Sequence, residues 1–233
     1  MTRRSFRESI EELRESVLDT AELVVNQLNK ALACLETGDE ASAQAVIDAD
    51  NTINNRCLEI EKKCIDLFAL QQPLAGDLRL IASSFKIVND LERIGDLAVN
   101  LAEYSLATRQ SFDIETTVVS IGNDAVSMLT ESLRAYEHDN VEKCYAVVAE
   151  DDNIDTLCLH ASEVLTRTLI EHADNEDNKT TETESDAWDI EQALDDVTRL
   201  LLTIRDIERI ADHAVNIGAR TLWMINDDSS LIY

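Results

Sequence analysis

The sequence predicts an all-α protein made of two similar antiparallel three-helix bundles that arise from an internal repeat. Three observations carry the prediction. The 233 residues contain one Pro and five Gly, so helix breakers are scarce. Apolar residues recur at helical spacing through long segments. And "DLERIGDLAVNL" (Asp90 to Leu101) returns 116 residues later as "DIERIADHAVNI" (Asp206 to Ile217), identical at eight of twelve positions.

The first helix is expected from Phe6 to about Thr37, with Ile10, Leu13, Val17, Leu18, Leu28 and Leu32 on one face. Gly38 suits the left-handed position that ends it, and Asp39 suits the cap of the next. The second helix runs to about Leu70. "QQPLAGDLR" then makes a Pro-marked corner into a third helix ending near Thr108. The second half repeats the pattern over about Ile114 to His138, Val141 to His172 and Trp188 to Asn226. Helices of about 30 residues are about 45 Å long, too long for a compact globule. Short links make neighbours antiparallel.

The repeat extends beyond the motif. Residues Ala31 to Asn54 align with Ser132 to Asp155 at an offset of 101, matching Leu32 with Leu133, Asp50 with Asp151 and Ile53 with Ile154. The change of offset from 101 to 116 places a fifteen-residue insertion in the second half. The polar stretch "ADNEDNKTTETESDA" (Ala173 to Ala187) accounts for it and reads as a mobile acidic loop. The first bundle is expected over 1–109 and the second over 110–233, with the boundary near Arg109 to Glu115.

Composition narrows the function. Twenty basic against 47 acidic residues give a net charge of −27, which repels nucleic acid. The acidic excess reads as a solubility device suited to a high-salt cytoplasm, where salt screens self-repulsion; unfolding at low ionic strength is the expected sign. Five scattered Cys without a CxxC pair, and no signal peptide, point to reduced buried thiols in the cytoplasm. No apolar run reaches the ~18 residues that span a bilayer, so membrane insertion is not expected.

On a helical wheel Leu91, Ile94, Leu97, Ala98 and Leu101 form the apolar face of the repeated motif, with Glu92 and Asp96 together on its flank. Glu208 and Asp212 repeat that register. Carboxylates at i, i+4 repel, and a bridging cation would offset the repulsion. Asp50 and Asn54 on the second helix, and their equivalents Asp151 and Asp155, could join them to make one cluster per bundle, the first poorer by one carboxylate. In an acidic chain such pairs also arise by chance, and duplication copies a structural feature as readily as a ligand set. Asp90 and Asp206 fall within the apolar face, where pairing with Arg93 and Arg209 three residues on is expected. His213 reads as a packing or surface residue. The Glu-x-x-His di-iron signature, the P-loop, GxGxxG and zinc spacings are absent.

The corner "QQPLAGDLR", followed by "KIVNDLERIGDLAVNLAEY" and the second copy "IRDIERIADHAVNI", resembles the PhoU family of phosphate-signalling regulators. The resemblance covers about Arg7 to Asn226. It implies two similar three-helix bundles and metal bound on Glu92, Asp96, Glu208 and Asp212, as iron, zinc or manganese. It also implies a non-enzymatic negative regulator of phosphate uptake that contacts the ATPase of a phosphate ABC transporter and, in many bacteria, a sensor kinase. A homodimer stays open. Two other readings stay open beside it: a carboxylate-metal hydrolase and a regulatory scaffold of another ion transporter. The second half departs from the pattern, since Trp188 and Asp189 stand where the corner has Gln72 and Pro73.

Overall fold

A computed structural model describes residues 3–70, 74–107, 115–177 and 184–232. Among the described residues six α-helices follow one another: α1 (Arg3–Thr37), α2 (Glu40–Leu70), α3 (Ala75–Ala107), α4 (Glu115–His138), α5 (Val141–Asp177) and α6 (Glu184–Asn226). No strand occurs among the described residues. Helices α1, α2 and α3 pack mutually, as do α4, α5 and α6. The two bundles meet along α3 with α6 and along α1 with α4, which leaves α2 and α5 on the outside.

Local sequence sets the helix ends. Gly38 adopts φ +65° and its N–H closes onto the Cys34 carbonyl at 2.8 Å. Asp39 caps α2 through the N–H groups of Ala41 at 3.0 Å and Ser42 at 3.3 Å. The second half reaches the same geometry without glycine: Asp139 takes φ +51°, and Asn140 caps α5 through the Lys143 N–H at 3.1 Å. Arg14 on α1 holds the Asp139 carboxylate at 2.9 Å and so fixes that turn against the other bundle.

The motif's apolar face is buried as its spacing requires: Leu91, Ile94, Leu97, Ala98 and Leu101 are all 1% exposed or less. They join Ile207, Ile210, Ala214 and Ile217 of α6 in one hydrophobic core that runs through both halves. The bundles share that core, so neither half closes its own. Gly122 lets α4 approach closely; an added Cβ would stand 2.5 Å from Leu32 of α1.

One expectation shifts. Helices α5 and α6 reach Asp177 and start at Glu184, so both ends of the expected 173–187 loop are helical, and its middle lies outside the described residues. The expected boundary at 109–115 lies almost wholly outside them too.

Candidate functional site: two carboxylate walls and a polar clasp

Antiparallel packing brings α2 against the flank of α3. A Cβ on Gly95 would lie 3.5 Å from Ile53, which sets Asp50 level with the end of α3 that carries Asp96. Asp50 and Asn54 are hydrogen-bonded, the Asn54 amide donating to Asp50 Oδ2 at 2.7 Å. Burial, and then the negative charge of Asp96, push the Asp50 carboxyl above its usual range. One turn on, burial and the charges of Glu92, Glu61, Asp96 and Asp50 push the Cys57 thiol up to about 12, so it stays protonated.

The second bundle repeats the wall with more charge. Burial raises the Asp151 carboxyl to about 6, helped by Asp155, Asp212, Asp152 and Glu208. Burial and the Asp155 and Asp212 charges raise Glu208. Asp212 is raised by burial and Asp155, against the pull of His213 and Arg209. Cys158 sits as Cys57 does, pushed to about 12 by burial, Glu208 and Asp155. All five cysteines are free and buried.

The walls are incompletely satisfied. The Oδ1 atoms of Asp50, Asn54 and Asp151 are buried without a hydrogen-bond partner, and a stranded buried polar atom costs about 1–3 kcal/mol. The donor set is all oxygen, which suits hard or borderline cations. Among the described residues no three His, Cys, Asp or Glu side chains converge as a ready-made ligand set. The structure thus supplies oxygen-lined walls of excess negative charge, and not a finished coordination shell.

The repeated aspartates do something their spacing did not indicate. Arg93 turns away from Asp90 and pairs with Asp96, Nη1 to Oδ2 at 3.3 Å. The expected Asp90–Arg93 pair is therefore corrected. Asp90, 5% exposed, reaches across to α6, where Arg220 Nε lies at 2.7 Å and His213 Nδ1 at 3.0 Å. The physical reason is placement: an aspartate within the apolar face points at the neighbouring helix, while Arg93 remains solvent-facing. Asp206 is fully buried and reaches back to α3, accepting from Asn100 Nδ2 at 3.0 Å and Tyr104 at 3.1 Å. Its own helix adds Arg205 at 3.2 Å and Arg209 at 3.3 Å.

The two clasps are pseudo-equivalent. Asp90 and Asp206 are 116 residues apart, and so are Tyr104 and Arg220, their cross-helix partners. A signal for these missed residues was present: the offset continues past the motif to a long polar side chain in each copy. Its meaning needed the α3–α6 crossing. His213, read as a packing or surface residue, contacts the other bundle directly.

A family model described as "PhoU domain" matches residues 17–105 and again 118–221, one copy per half. A Clostridium acetobutylicum protein named "Phosphate-specific transport system accessory protein PhoU homolog" is 32% identical over 228 residues, covering 97% of this chain and 96% of its own length. A similarly named Aquifex aeolicus protein is 35% identical over 150 residues, 64% of this chain and 68% of its own. The crystal structure of PhoU from Pseudomonas aeruginosa superposes with a TM-score of 0.81 at 27% identity, covering 96% of this chain and 100% of the other. The phosphate transport system regulatory protein PhoU from Streptococcus pneumoniae gives a TM-score of 0.81 at 27% identity, covering 96% and 98%.

Proposed function

Because the chain belongs to the PhoU family, with one copy of the domain in each half, we propose that it regulates phosphate transport. The observation that carries this is end-to-end agreement with relatives named for that system, in sequence and in fold. The finer reading is negative regulation of phosphate uptake through contact with the ATPase of a phosphate ABC transporter, with a sensor kinase as a further partner. The protein would act in the cytoplasm; no described helix is long and apolar enough to cross a membrane. Relatives are named as accessory proteins, and the reading calls on contacts and not on catalysis. Co-purification from phosphate-replete cells tests it: recovery of the transporter ATPase is expected, and its absence under crosslinking would sink the reading.

Cation binding belongs to the same proposal. Glu92, Asp96, Asp50 and Asn54 would hold one group and Glu208, Asp212, Asp151 and Asp155 the other. A bound iron, zinc or manganese ion would neutralise the repulsion that, after burial, raises Asp50, Asp151, Glu208 and Asp212. The unpartnered Oδ1 atoms of Asp50, Asn54 and Asp151 support this. Elemental analysis of untagged protein purified without added metal tests it, beside the Glu92→Ala/Glu208→Ala double variant. Metal lost in the variant is expected; an equally loaded variant would place the ions elsewhere.

A further inference from the structure

We propose that the outer face formed by α2 and α3 is a docking groove for a cationic amphipathic helix of a partner protein. Five large apolar side chains are exposed there: Leu58 (47%), Ile65 (56%) and Phe68 (38%) on α2, and Leu74 (62%) and Leu78 (43%) at the corner and on α3. Helical spacing aligns them. Asp50, Asn54 and Leu58 are four apart, and Ile65 follows Leu58 by seven. On α3, Leu78, Phe85, Glu92 and Asp96 continue one strip by steps of seven, seven and four. The Gly95–Ile53 approach fixes the register, so Phe68 comes level with the first turns of α3. The result is one face, apolar towards the α2–α3 corner and carboxylate-lined at the far end.

That polarity selects the occupant. Apolar anchors spaced at three, four and seven residues suit the i, i+3, i+7 side chains of an amphipathic helix. Glu92 and the half-exposed Asp96 carboxylate, where no metal ion holds them, ask for Lys or Arg at one end of it. A second copy of this chain, itself carrying a net charge of −27, would be repelled from an acidic face, and anionic lipid likewise. The second bundle repeats two of the five, with Leu159 (64%) for Leu58 and Leu194 (46%) for Leu78, while Thr166 stands where the first bundle has Ile65. Solvated single leucines are ordinary; five large exposed apolar side chains on one face form a patch of the kind that marks an interaction site.

The inference rests on the reading that this protein works by contacts. The probe is a synthetic helix of about 18 residues, the span from Asp50 to Phe68. It carries Leu on one face and Lys and Arg clustered at one end, and its fluorescence anisotropy is read against the whole protein. Saturable binding is expected, about tenfold weaker for Ile65→Lys and for Leu78→Lys. Asp50→Asn/Glu92→Gln should flatten its salt dependence. A scrambled peptide, or one with Glu for Lys and Arg, should not bind. Each variant's helical content is checked by circular dichroism; Ile65→Ser and Leu78→Ser stand in should a lysine variant misfold. Equal binding to wild type and variants, or none, overturns the groove. Dissociation of a wild-type dimer by Ile65→Lys, or vesicle binding lost in that variant, overturns it in favour of self-association or a membrane. Failure here with the ATPase still co-purifying would remove the groove and leave the regulatory reading. Peptide binding without the ATPase would do the reverse.

Discussion

Removing the Asp90 carboxylate tests the clasp between the bundles most directly. Asp90 is 5% exposed and holds Arg220 at 2.7 Å and His213 at 3.0 Å. Truncating one partner of a buried charge pair costs about 3–5 kcal/mol, because the other charge is stranded. Here the side chains of Arg220 and His213 keep 22% and 19% of their surface in solvent and recover some hydration. The lower edge therefore applies, and Asp90→Ala should cost about 3 kcal/mol. Asp90→Asn retains shape and one acceptor and should cost about 1–2 kcal/mol. For a chain of this length 1 kcal/mol moves Tm by about 2–4 °C, so Asp90→Ala should melt about 6–12 °C lower. The assay is thermal and urea unfolding by circular dichroism at fixed ionic strength, run as a double-mutant cycle with Arg220→Ala. A coupling energy of about 1.5–3 kcal/mol is expected. A coupling below about 0.5 kcal/mol, or an Asp90→Ala variant as stable as wild type, would refute the argument that this pair holds α3 to α6.

The remaining predictions concern the carboxylate wall and a buried amide. With no metal bound, burial and its acidic neighbours push the Asp151 carboxyl of the folded chain up to about 6 against an ordinary value of 3.8. The folded state therefore keeps a proton that the unfolded chain releases, and this group opposes folding above pH 6. The penalty fades as pH falls from about 6 to about 4. Asp151→Asn should accordingly be more stable than wild type at pH 7, by about 1 kcal/mol after allowance for solvent screening. The gap should close through that window, as read from Tm against pH; a pH-independent gap would contradict the assignment. Gln27, 5% exposed, donates to the Val46 carbonyl at 3.0 Å but leaves Oε1 buried and unpartnered. The second half carries Met128 at the equivalent position. Gln27→Met should hold or raise stability by up to about 1 kcal/mol in urea unfolding. A loss larger than that would mean the amide has a bonding role beyond Val46.

The sequence by itself determined the all-α class, the six helices and their duplication. These are local matters: apolar spacing, scarce breakers, and the Gly38 and Asp39 signals at a turn all lie within a few residues. The same logic located the oxygen-bearing pairs, because i, i+4 neighbours share a helix face whatever the tertiary fold. Near-identity of the two motifs carried the family resemblance as well. What lay beyond it was direction. Asp90 and Asp206 sit in an apolar face, and their spacing from Arg93 and Arg209 predicted two local ion pairs. Arg209 does lie against Asp206, whereas Arg93 goes to Asp96. Only the crossing of α3 with α6 determines which groups stand opposite a buried carboxylate, and it places Arg220, His213, Asn100 and Tyr104 there. The union of two bundles into one core was hidden for the same reason. An amphipathic helix declares that it must bury a face, but the neighbour that covers it is a long-range contact, decided when whole bundles pack.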